Sequence, residues 1–94
     1  MWSNEEEWLP PPPELNVPPQ TAKLLKERLG SEPRFNELIR SIKWALDHIG
    51  ALKAIPNSDF YYVEFTSASH IYYAIVELTD ERASWLDLVD ILEI

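Results

Sequence analysis

From Asp59 to Ile94 the apolar residues fall into three runs, FYYVEF, HIYYAIVEL and SWLDLVDILEI, separated by the short breaks SAS and TDERA. In Phe60–Phe65 the side chains alternate, with Tyr61, Val63 and Phe65 on one face and Phe60, Tyr62 and Glu64 on the other, the two-residue period of a half-buried strand. Ile71 to Leu78 is an almost unbroken series of β-branched and aromatic residues, which predicts a strand buried on both faces. Trp85 to Ile94 carries Asp87, Asp90 and Glu93, so one face or end of it must meet water. Hairpin-length breaks join the three into an antiparallel meander.

The preceding segment has helical spacing instead. Pro18 and Pro19 suit a first helical turn, Ala22, Leu25 and Leu29 recur on one side, and Gly30 is placed to stop the helix in the left-handed conformation. Ser31 then reads as an N-cap for a second helix, with Glu32 and Pro33 in its first turn and Phe35, Leu38, Ile39, Ile42, Ala45, Leu46 and Ile49 at helical spacing up to Gly50. The Gly30-Ser31 joint leaves room only for an αα-hairpin, which presents one apolar surface to the sheet. Trp44 lies at the border of the stripe or beyond it, where packing against the neighbouring helix is expected. Ala51 to Ser58 reads as a loop, with Ile55-Pro56-Asn57-Ser58 as its turn. The expected architecture is α+β: an αα-hairpin packed on a small antiparallel β-sheet, residues 15–94 forming one domain.

Residues 1–14 form a proline-rich N-terminal arm. Pro10 to Pro13 and Pro18-Pro19 hold this stretch extended, and between them Glu14-Leu15-Asn16-Val17 has the length of an edge strand that cannot grow. Two readings of the arm stand side by side. Either it is a leader whose Trp8 folds onto the domain, or Trp2, Trp8 and Leu9 anchor a partner protein or a second copy, with proline stiffness lowering the ordering cost.

Ninety-four residues suffice for one modest core. The chain has no cysteine, which removes disulfide and thiolate chemistry and favours an intracellular setting. Glu5-Glu6-Glu7 stand where a signal peptide needs basic and then apolar residues, and no uncharged run is long enough for a bilayer, so a soluble, cytoplasmic protein is expected. The formal charge of −8 is unevenly placed. Met1–Pro19 holds four acids and no base, Gln20–Lys53 seven bases and four acids, and Ala54–Ile94 one base and eight acids. The sheet segment is thus strongly acidic and would repel a phosphate backbone, so binding of free nucleic acid is not expected.

Motifs for chemistry are sparse. Gly30 and Gly50 are the only glycines, so there is no phosphate-cradling loop, and His48 and His70 have no ligand spacing; neither metal nor cofactor is implied. Ser67 and Ser69 beside His70 lack an orienting acid and an oxyanion hole. Asp87 and Asp90 fall on opposite faces of a regular strand, which favours a solvated edge over a carboxylate cluster. His48 sits where it answers the dipole of the second helix.

The order short strand, αα-hairpin, meander, over Leu15 to Ile94, resembles the RelE/ParE superfamily of toxin-antitoxin toxins. LNVPPQTAKLLKERLGSEPRFNELIRSIKWALDHI looks like that family's opening strand and helical hairpin, ALKAIPNSDFYYVEF like its loop into the central strand, and HIYYAIVEL like its segment of arginine, two apolar residues and tyrosine. The resemblance implies action on messenger RNA in the ribosome, or on DNA gyrase, and neutralisation by an extended antitoxin. It puts Lys53, His70 and Tyr73 at catalytic positions, with His70 where the family has arginine, and Tyr62 and Glu64 where basic residues are common. Glu64 in a phosphate-binding face, and the lack of the family's terminal basic and tyrosine residues up to Ile94, imply a nuclease that is absent or altered. Three functions follow: a degenerate RelE/ParE-like toxin, a non-catalytic protein-binding module using the Pro/Trp arm and the sheet face, and an acidic mimic of nucleic acid.

Overall fold

The computed structural model describes residues 14–48, 52–78 and 85–94, with the side chains of His48 and Trp85 excepted. Five strands and two helices follow in the order β1 (Glu14–Asn16), α1 (Pro19–Leu29), α2 (Glu32–His48), β2 (Lys53–Ala54), β3 (Phe60–Ser67), β4 (His70–Leu78) and β5 (Trp85–Glu93). One sheet contains them all, in the order β1-β5-β4-β3-β2. The fold class is α+β, as expected, but the sheet is mixed and not purely antiparallel. β1 lies parallel to β5, with Leu15 opposite Leu86, while the other pairs are antiparallel. β1 begins at Glu14, within the Glu14–Val17 stretch read as a short edge strand, and residues 1–13, with Trp2, Trp8 and Leu9, lie outside the described residues.

The helix boundaries follow their local chemistry. Pro19 occupies the first turn of α1, where a missing N–H costs nothing, and the Ala22 N–H reaches the Pro18 carbonyl at 2.9 Å. Gly30 adopts φ 69°, left-handed, and donates its N–H to the Lys26 carbonyl at 2.9 Å. Ser31 caps α2, its Oγ accepting the Arg34 N–H at 3.2 Å. From there Phe35, Leu38, Ile42, Ala45 and Leu46 are buried along one stripe.

Both helices lie on one face of the sheet. Leu25 and the α2 stripe close over Val63 and Phe65 of β3, Tyr72, Ala74 and Val76 of β4, and Leu86, Leu88 and Ile91 of β5. At roughly 25 cal/mol per Å² of apolar surface removed from water, this single layer is the main favourable term holding the chain. The alternation of β3 is as read, but β4 is not buried on both faces. Tyr72, Ala74 and Val76 are buried, whereas Ile71 is 45% exposed and Tyr73 and Ile75 are half-buried, because no element among the described residues covers the second face.

The segment expected to be all loop contains β2, which pairs Lys53 with Tyr62 and Ala54 with Tyr61. Its turn is held by Ser58, whose Oγ donates to the Ile55 carbonyl at 2.8 Å and accepts the Phe60 N–H at 3.2 Å. β3 and β4 are joined through Ala68 and Ser69, at φ 49° and 67°, the left-handed pair that a tight hairpin with the native twist requires. In β5, Asp90 stands opposite Ile75 and Leu88 opposite Val76, so Val89 is an extra, bulged residue. The bulge resets the alternation, and Asp87 and Asp90 therefore stand opposite Glu77 and Ile75, both positions of the same uncovered face, contrary to the expectation for a regular strand. Gly50 and the Thr79–Ala83 break, with Arg82, lie outside the described residues.

Candidate functional site

Lys53, His70 and Tyr73 are not brought to one place. Strand alternation puts His70 on the helix side with Tyr72, Ala74 and Val76, and Tyr73 on the uncovered side. His70 Nδ1 lies 3.1 Å from Glu93 Oε1, both side chains being more than half exposed. Lys53, cross-strand from Tyr62, shares the uncovered face, and the rings of Tyr62 and Tyr73 lie 4.8 Å apart at 49°. Glu64 stands directly opposite Tyr73, on the side read from the sequence. A base at His70 and a donor at Tyr73 would thus be separated by the sheet itself.

The uncovered face is better defined than that trio. Its rows run Lys53, Tyr62, Ile75, Asp90; then Glu64, Tyr73, Leu92; then Thr66, Ile71; and at the other end Phe60, Glu77, Asp87. Ile94 follows Leu92, its N–H donating to the Ile71 carbonyl at 3.0 Å. Ile71, Leu92 and Ile94 expose 45%, 46% and 66% of their surface. The face therefore has an apolar, aromatic centre with carboxylates at Glu64, Glu77 and Asp87. Lys53 is the only lysine or arginine of the described strands, and it stands at the sheet's margin.

A second cluster escaped sequence reasoning. Arg34 donates to Glu37 Oε1 at 3.2 Å, to Ser67 Oγ at 3.1 Å and to the Tyr72 hydroxyl, while Ser67 donates to Glu37 Oε1 at 3.1 Å. The Tyr72 ring lies 5.3 Å from Phe65 in a stacked arrangement, with the Arg34 guanidinium carbon 5.5 Å from its centroid. Ser67 is buried with its proton committed to Glu37, so it serves as a tie between the start of α2 and the end of β3 and not as a nucleophile. The only sequence signal for the cluster was the i,i+3 pair Arg34–Glu37.

Among the described residues no three His, Cys, Asp or Glu side chains gather as a metal site, and no helix is long and apolar enough to cross a membrane. The His48 side chain lies outside the described residues. Comparison with family models, with curated proteins and with solved structures finds no match to this chain.

Proposed function

We propose that this chain is a non-catalytic protein-binding module whose uncovered sheet face receives a cationic, apolar surface of a partner protein. The observation that carries this reading is the composition of that face: Tyr62, Tyr73, Ile71, Ile75 and Leu92 exposed or half-buried at its centre, and carboxylates around them. Tyrosines packed against one another are rigid and amphipathic, and serve as anchors at little entropic cost. The surrounding acids select a basic partner and speed its encounter, while repelling phosphate and a second copy of the same face. Trp2, Trp8 and Leu9 would add a second grip from the arm.

The test is titration of a lysine–leucine amphipathic peptide against its glutamate–leucine counterpart. Binding of the lysine peptide, weakened at least about tenfold (roughly 1.4 kcal/mol) by Tyr73→Ser and by Glu64→Lys, is expected. Equal binding of the glutamate peptide, or indifference to both substitutions, would sink the reading. A slope with salt as steep as that of a nucleic-acid competitor, with no dependence on Tyr73, would favour the acidic mimic.

A second reading, a degenerate RelE/ParE-like toxin acting on translation or gyrase with an antitoxin-like partner, is supported by the order strand, αα-hairpin, antiparallel strands. Lys53 and Tyr73 would then be the remnant of its site. Growth arrest on induction in bacteria, relieved by Tyr73→Ser, is its expected outcome, and unaffected growth removes it.

A further inference from the structure

Among the described residues, β5 and β3 each run on past the short strand beside them, and the two stretches of edge this leaves open differ. β1 stops opposite Asp87, which leaves the outer side of β5 open from Leu88 onward. That edge is blunted: Asp90 Oδ1 accepts the Ile91 N–H at 2.8 Å, Arg28 donates to the Ile91 carbonyl at 3.3 Å and to Asp90 Oδ1 at 2.9 Å, and the bulge at Val89 bends the strand. Side-chain caps and a bulge are how natural sheets prevent strand addition.

The outer side of β3 has neither device. β2 pairs only with Tyr61 and Tyr62. The Ile55 N–H donates to the Phe60 carbonyl at 3.0 Å, which shows that the Phe60 backbone points outward. By the two-residue period Glu64 and Thr66 point outward as well, beyond the end of β2, where no described strand lies beside them. Pairing of β3 with β4 is in unbroken register from Phe60 to Ser67, so no bulge disturbs the edge. Alongside runs a groove of ≈ 420 Å³ between the strand and α2, lined by Ser41, Trp44, Ala45, Glu64, Phe65 and Thr66 among others.

We propose that this edge takes up an extended segment of a partner protein in which apolar and basic side chains alternate. Added as a strand, such a segment would pair with the backbone of Glu64 and Thr66 and point every second side chain under α2, toward Ala45 and Phe65. The intervening side chains emerge on the acidic face beside Glu64, where lysine or arginine is complementary. The basic half of this description rests on the function proposed above; the edge and its groove do not.

Charge disfavours a second copy as the occupant: pairing through its own β3 would bring two copies of Glu64 and of the acidic sheet segment together, where like charges oppose pairing.

The probe is a synthetic peptide of alternating lysine and valine, with a block isomer of the same composition as control. Amide exchange in the full chain, read by NMR, should slow at least about tenfold at Glu64 and Thr66 with the alternating peptide only. Thr66→Pro removes one outward N–H without touching the β4 ladder, and Ser41→Trp fills the groove without touching β3; both should abolish the protection at Glu64. Binding without protection at Glu64 and Thr66, absence of binding, or unchanged binding by both variants overturns the proposal. Loss of binding in Tyr73→Ser with full retention in Thr66→Pro and Ser41→Trp leaves the sheet-face reading and removes the edge. Protection that survives Tyr73→Ser and Glu64→Lys keeps the edge and removes the acidic-face reading.

Discussion

Tyr72 illustrates how a buried polar group is kept affordable at the scale of a residue. Its ring packs on Phe65 while its hydroxyl accepts from Arg34, so neither end is left unsatisfied. Tyr72→Phe keeps the stack and removes the acceptor; a loss of about 1 kcal/mol is expected by urea denaturation, since half-buried Arg34 retains Glu37 and Ser67. Gly30 is set by conformation and not by space, since a Cβ there would meet nothing within 4 Å. Gly30→Ala should therefore cost about 1 kcal/mol in thermal unfolding, from the left-handed φ alone, with Gly30→Asn costing less. The glycine and the Ser31 cap were readable because their signals are local. Ser67 was not: a serine at the end of a hairpin strand reads as exposed, and its partner Arg34 lies 33 residues earlier.

At the scale of the element, the strands and helices were legible from their periods, and the errors lie where pairing decides. Parallel pairing of β1 with β5 joins residues 71 apart, as in the 2.6 Å hydrogen bond from Asn16 to Asp87, and leaves no local trace. The bulge at Val89 was likewise invisible, since it arises from the register with β4 and not from any residue type. It does make a measurable difference: Asp90→Ala removes the acceptor for both the Ile91 N–H and Arg28, and amide exchange at Ile91 should quicken at least about tenfold while the core strands change little. Glu77 and Asp87 stand directly opposite each other in this pair of strands, an arrangement of like charges that disfavours pairing. Glu77→Lys should accordingly raise stability by roughly 0.5 kcal/mol, and loss of stability instead would show that Asn16 already neutralises the conflict.

For the whole molecule, one layer of helices on a sheet buries one face, and the chain has no described element for the other. This is why β4 misled: Ile71, Tyr73 and Ile75 have the composition of a doubly buried strand, and no property of the strand itself tells whether a covering layer comes from the same chain or from another. The candidate site was legible only in part for the same reason, with Glu64 and Tyr62 correctly on one face but His70 turned to the other by a single step of alternation. An apolar face left open calls for protection from self-pairing, and the net charge of −8, carried mostly by the sheet segment, supplies it. Screening shortens the range of that repulsion from about 30 Å at 0.01 M salt to about 3 Å at 1 M. Sedimentation should accordingly show a monomer at low salt and concentration-dependent association at high salt. The double variant Ile71→Glu with Leu92→Lys, both on exposed positions, should stay monomeric throughout with its unfolding temperature nearly unchanged. Association that is indifferent to salt, or that persists in the double variant, would mean that charge is not what keeps two such faces apart.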